Sequence, residues 1–206
     1  TDDTSAVEFD YRCKIEGSYV IIDMQQWYKR DIVQRFYLYH ALNTGLQLED
    51  LPLKSFDFKV DPPRKRAKDY RELEPVLTLI WMVVDSLNFS HDYISYTMAP
   101  EIIVDFLQND YLWHQEKIKE LLEERKKILD ILSNQTKNLD FLPKNRLIFA
   151  FQKNIVKNKT MKRYDRWFEF AEKTRDENNK KEDFEEYRRD EIFCEMMRRL
   201  HKDNLT

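Results

Sequence analysis

Glycine and cysteine are scarce: the 206 residues include two of each, Gly17 and Gly45, Cys13 and Cys194. Phosphate-cradling loops, dinucleotide fingerprints and serial hairpin turns draw on glycine for positive φ or for close backbone approach. Two isolated glycines therefore leave no Walker loop and no nucleotide fingerprint, and they count against an all-β fold. The two cysteines lie too far apart in sequence for a disulfide framework and show no zinc spacing, so they read as reduced thiols of an intracellular protein. A Ser-centred elbow and a zincin helix are also missing. The four histidines, His40, His91, His114 and His201, are widely separated, and none sits in a ligand pattern. His114-Gln-Glu116 has the H-x-E of the zinc deaminases, but no P-C-x-x-C completes it, so His114 is expected on an exposed helix face.

Long hydrophobic runs are missing too. The longest, Val76 to Val84 with Thr78 interrupting, is well short of the roughly 20 residues a bilayer span needs. The chain opens on "TDDTSAVEF", with no initiator Met and no signal-like segment, which suggests an excised domain or a processed chain. Four N-x-S/T sequons, at Asn88, Asn134, Asn158 and Asn204, are expected to be chance matches in an Asn-rich chain with few cysteines.

What is abundant is charge. Charged residues make up 35% of the chain and hydrophobic residues 42%, with a net charge of -3; this is a globular composition wrapped in a heavily charged surface. That surface suits amphipathic helices, and the expected fold is mainly α: a multi-helix, bundle-like domain over 9–206, preceded by a disordered lead over 1–8. Pro75 followed by Val76–Val84 reads as a helix over 75–88, apolar around most of its circumference and so at the centre of the fold. "DIVQRFYLYHALNTG" reads as a helix with Asp31 as N-cap, Ile32, Val33, Phe36, Tyr39 and Leu42 as its apolar positions, and Gly45 just past its end. Further helices are expected from Pro100 through Leu107, over about 111–135, 143–157 and 161–177, and near 182–202.

The first sixty residues break the pattern. Phe9, Tyr11, Cys13 and Ile15 alternate with polar partners, Glu16-Gly17 offers a turn, and Val20-Ile21-Ile22 is β-branched. These features predict a hairpin over 9–24, with one long helix over 18–44 as the competing reading. Phe56, Phe58 and Val60 repeat the alternation, which gives a minor strand over 55–60 within a loop over 45–70.

Two basic features rise above this background. Arg64, Lys65, Arg66 and Lys68 follow Pro62-Pro63 and resemble a monopartite nuclear import signal held extended by the prolines. Residues 144–166 carry eight cations against the single acid Asp165, or +7, so the remaining residues carry about -10. Within that stretch Lys153, Lys157, Lys159, Lys162, Arg163 and Arg166 form the candidate contact surface. Its aromatics Phe149, Phe151, Tyr164, Trp167, Phe168 and Phe170 could stack on single-stranded nucleic acid, but their helical spacing reads better as core. The function expected from all this is non-enzymatic: a protein-binding scaffold or adaptor subunit of an intracellular, nuclear assembly. The alternative is a nucleic-acid-binding domain that uses the ridge over 144–166. No catalytic residue, metal, cofactor, membrane contact or small-molecule substrate is inferred.

Overall fold

The computed structural model describes residues 10–27, 29–55, 66–84, 87–133 and 139–203. A five-stranded mixed sheet is the organising element, in the order β1-β2-β5-β7-β6. Its strands are β1 (Tyr11–Ile15), β2 (Ser18–Gln25), β5 (Val76–Met82), β6 (Tyr93–Thr97) and β7 (Arg146–Phe151). β2, β5 and β7 run parallel, and β1 and β6 close the two edges antiparallel. A separate two-stranded pair joins β3 (Leu53–Ser55) to β4 (Arg66–Lys68). The expectation of a mainly α bundle with a small hairpin is thus overturned: the fold is α/β.

The correction has a physical source. β5 lies between β2 and β7 and is covered on both faces, so its burial alternates only between full and partial. A strand buried on both sides needs apolar residues at every position and loses the period-two signature by which strands are recognised. Val76–Met82 therefore mimics a buried helix in sequence, although seven residues bounded by Pro75 and rich in β-branched side chains suit a strand. β7 repeats the case: "RLIFAF" forms a strand where a helix over 143–157 was expected, and helix α4 (Gln152–Asn158) begins only after it. At the edge β1, exposed on both faces apart from the half-buried Cys13, keeps an alternating sequence, and β1 and β2 form the expected hairpin. They turn through Glu16 (φ 47°) and Gly17 (φ 74°), the pair of positive φ values a two-residue type I′ turn requires. Phe56, Phe58 and Val60 lie outside the described residues.

Helix α1 (Ile32–Asp50) connects β2 to β5 across one face of the sheet, and its Ile32 and Phe36 pack on Ile80, Met82, Phe149 and Phe151. Further along, the helix is attached by polar groups. The His40 ring meets the Thr78 hydroxyl at 2.9 Å. Gln47 donates to the Glu74 carbonyl at 3.0 Å and accepts from the Glu74 N–H at 2.9 Å. Beside them the Val76 N–H donates to Asn145 at 3.0 Å. Thr78, which only interrupts an apolar run in the sequence, is the partner that a buried histidine needs.

On the opposite face Ala150, Ile155 and Phe168 form a second core with Leu79, Trp81 and Tyr164, bringing in α4 and α5 (Asp165–Arg175). The Trp81 indole N–H donates to Gln152 at 2.6 Å, and its ring lies 4.6 Å from that of Phe168. A third cluster ties α5 to α6 (Glu191–Asp203) through Phe170, Tyr187 and Phe193, where burial pushes the Tyr187 hydroxyl up to about 12. Between β6 and β7 the chain makes an excursion through α2 (Glu101–Gln108), two 3-10 turns, α3 (Ile118–Ser133) and a third 3-10 turn over Leu139–Lys144. Ile128 is the one fully buried residue of α3, so the long helix expected over 111–135 is shorter and far more exposed than its apolar stripe suggested.

Gly45 lies inside α1 rather than beyond its end, and a Cβ built there meets nothing within 4 Å. Gly45→Ala is expected to raise stability by about 0.5–1 kcal/mol, measured by denaturant unfolding, because helical backbone is retained and unfolded-chain entropy falls. A helix that ended before Gly45, with Gly45 in the left-handed region, would give the opposite sign.

Burial lowers the His40 pKa from its ordinary 6.5. The unfolded chain then binds the proton first as pH falls, so this group's contribution to stability is intact above 6.5 and is lost as pH drops towards the folded value. The melting temperature is expected to decline on acidification through this window, and His40→Gln is expected to flatten that decline.

Candidate interaction surface

A helix crossing a sheet normally turns its apolar side inward. α1 does so only in part. Besides Ile32 and Phe36, its buried positions are His40, Asn43 and Gln47, while Val33, Tyr37, Leu38, Leu42, Leu46 and Leu48 are exposed. The exposed residues form two flanks. Val33, Tyr37 and Leu48 lie on one side of the buried meridian, and Leu38, Leu42 and Leu46 lie on the other.

The first flank looks onto open sheet. α1 lies over β5 and the near part of β7, and the face of β7 and β6 beyond it forms a groove of about 460 Å³. α1 supplies Val33, Gln34 and Tyr37; the sheet supplies Tyr96, Leu147 and Phe149; the segment after β5 supplies Leu87 and Phe89. Register explains the lining, since Tyr96 pairs with Leu147 and the neighbouring Phe149 falls on the same face. The Phe89 ring lies 5.5 Å from that of Phe151, and its backbone is fixed from the far side of the sheet. Asn154 donates to the carbonyls of Phe89 (2.6 Å) and His91 (2.9 Å). Asp92 accepts from Asn158 (2.7 Å), Tyr164 (3.0 Å) and Thr160 (3.1 Å). The groove wall is therefore built rather than loose.

The carboxyl ends of parallel strands are where α/β folds usually place ligands. Here Asp23 is buried at the end of β2, with its pKa raised, chiefly by burial, against a short hydrogen bond from Gln25. Gln25 in turn accepts from Arg35. At the end of β7, Gln152 is shared between Trp81 and Glu172. The two sets are separate, Arg35 Nε is buried without a hydrogen-bond partner, and no group of three or more His, Cys, Asp or Glu suited to a metal ion occurs among the described residues.

The basic residues singled out from the sequence are dispersed. Arg64 and Lys65 lie outside the described residues, while Arg66 and Lys68 belong to β4, paired with β3. Lys153, Lys157, Lys159, Lys162 and Arg163 are exposed around α4 and the turn into α5. Arg166 is exposed too, but its guanidinium lies over Phe193, 5.2 Å from the ring centroid, with Asp190 3.8 Å away. Of the six rings, Phe149, Phe151, Phe168 and Phe170 are buried and Tyr164 is half-buried, which leaves Trp167 as the one exposed ring beside the ridge. The helical spacing of α1 places Val33 in the buried stripe and so hides its part in the groove; Leu42, placed in the same stripe, is exposed on the other flank. The contrary signal was present: His40, Asn43 and Gln47 share one helix meridian, while leucines occupy the flanks. Comparisons of the chain with protein-family models, curated proteins and solved structures find no match.

Proposed function

We propose that the protein is a non-enzymatic protein-binding module, an adaptor subunit of an intracellular assembly, and that it receives an amphipathic helix of its partner in the groove between α1 and β6. The observation that carries this reading is the groove itself, in which Val33 and Tyr37, exposed on one flank of α1, face Tyr96, Leu147, Phe149, Leu87 and Phe89. Contiguous exposed apolar surface of that kind marks an interaction site. The groove's shape favours a helix as occupant. The open face of β7 and β6 lies directly beside α1, where a second helix would complete the layer that covers parallel strands. Its lining is apolar apart from Gln34 and the Tyr37 and Tyr96 hydroxyls, which suits a partner offering apolar residues at i, i+3, i+4 and i+7.

The double variant Val33→Glu/Tyr37→Glu changes two exposed positions and is expected to leave the melting temperature within a few degrees of wild type. It should weaken binding of a helical segment from the purified partner by at least tenfold in calorimetric titration. A fivefold alanine replacement at Lys153, Lys157, Lys159, Lys162 and Arg163 is expected to leave that affinity unchanged. Equal binding by the groove variant would sink the proposal. Loss of oligonucleotide binding in the ridge variant, with a salt slope reduced in proportion to the lost phosphate contacts, would favour the nucleic-acid reading instead.

The nuclear setting rests on the basic stretch behind Pro62-Pro63 alone. Replacing Arg64, Lys65, Arg66 and Lys68 by Ala is expected to move a fluorescent fusion out of the nucleus while groove binding stays intact. Continued nuclear retention would remove the import reading.

A further inference from the structure

The two edges of the sheet differ in chemistry. β1 carries Arg12 and Lys14 along its length, whereas β6, "YISYT", has no charge and no proline. Charged side chains and prolines are the usual means by which an edge strand is kept from pairing with another chain. β6 has neither, and Tyr93, Ser95, Tyr96 and Thr97 are all exposed.

The outward-facing backbone groups of β6 follow from its register. The Phe151 N–H donates to the Asp92 carbonyl at 2.8 Å, and the ladder continues with Tyr93 opposite Ala150 through Thr97 opposite Arg146. Hydrogen-bonded and non-hydrogen-bonded pairs alternate in an antiparallel ladder. Ile94 and Tyr96 therefore direct their N–H and C=O groups at β7, and Tyr93, Ser95 and Thr97 direct theirs away from it. Among the described residues no backbone group meets those outward N–H and C=O groups.

We infer that β6 is a homodimerisation edge, with β6 of a second copy pairing antiparallel about a two-fold axis through Ser95. In that register Ser95 faces Ser95 of the second copy, and Tyr93 and Thr97 face each other twice. Every outward N–H and C=O of the three residues in both strands then finds a partner. Sliding the strands by two residues in either direction leaves one outward-facing residue of each β6 opposite a position beyond the other strand. The side chains match as well. Ile94 lies opposite Tyr96 on the groove face, and Tyr93 lies opposite Thr97 on the other; aromatic and β-branched cross-strand pairs of this kind are favourable. A like arrangement about Cys13 of β1 would set Arg12 against Lys14 twice, and like charges directly opposite repel. The uncharged β6 thus accepts a second copy in this register without the like-charge contacts that β1 would meet in its own.

The pairing uses the edge of β6 and leaves the groove open, although Tyr96 belongs to both. The two-fold axis runs perpendicular to the sheet, so both grooves open on the same side of a continuous ten-stranded sheet.

Sedimentation equilibrium of the full chain, from low micromolar to submillimolar concentration, is expected to show the mass rising from one copy to two. The amides of Tyr93, Ser95 and Thr97 should gain protection from hydrogen exchange only at the dimeric end. Ser95→Lys places two ammonium groups across the axis, and Ser95→Pro removes an N–H that β7 does not use. Each is expected to weaken dimerisation at least tenfold with an unchanged far-UV spectrum. Should the proline variant fail to fold, Ser95→Lys decides alone. Val33→Glu/Tyr37→Glu is expected to dimerise as wild type does. A wild-type chain that stays at the mass of one copy throughout, or a dimer that survives Ser95→Lys unweakened, overturns the inference. Protection of these amides by an added peptide alone, with the chain monomeric, would likewise assign the edge to a different occupant.

Discussion

The attachment of α1 to β5 is the contact on which the rest of the molecule depends. The helix is held along its second half by His40 on Thr78 and by the paired hydrogen bonds between Gln47 and the Glu74 backbone. Buried polar groups of this kind are directional, so they fix rotation of the helix about its own axis in a way that apolar packing alone does not. Net stabilisation from each neutral hydrogen bond is only about 1 kcal/mol, but leaving one partner unpaired in the interior would cost about 1–3 kcal/mol. Rotation of α1 is thereby set, and the apolar flanks point where they do as a consequence.

The groove inherits its form from that rotation and from a second restraint on the other side of the sheet. α4 reaches past the end of β7 with Asn154 and Asn158 to grip the segment over 89–92, and Phe89 is placed by that grip. Three layers therefore converge on one apolar surface: a helix locked by polar contacts, a sheet whose register aligns Tyr96, Leu147 and Phe149, and a loop pinned from behind. A surface assembled this way is presented rigidly, and rigidity lowers the entropic cost of association.

How much of this was legible in the sequence depends on exposure. The β1–β2 hairpin could be read because an edge hairpin keeps its alternation and Glu16-Gly17 supplies the turn. α1, α2 and α5 could be read because their apolar spacing is helical, although which side of α1 is buried could not. β5 and β7 were misread as helices because residues covered on both faces carry no period, and length with β-branching was the only counter-signal. For the candidate site the limit was the same. Val33 looks like core to any rule that equates apolar with inside; the shared meridian of His40, Asn43 and Gln47 is the sequence signal against it, and the partners of His40 and Gln47, far along the chain, show which side is buried.

The order of strands has a kinetic consequence. β1 and β2 are joined by a two-residue turn, but the N–H of Val76 at the start of β5 finds Asn145 only 69 residues later in sequence. Closing so distant a contact costs chain entropy before any contact compensates for it, and parallel pairing across such separations is slow. The hairpin is expected to form early and the β5–β7 pairing late. In the interval the uncharged segment "VLTLIWM" stands without its neighbour, with the composition that drives intermolecular strand pairing. The centre of the native fold is thus the segment at greatest risk of aggregation during its assembly, and yield on refolding should depend on chain concentration more than on final stability.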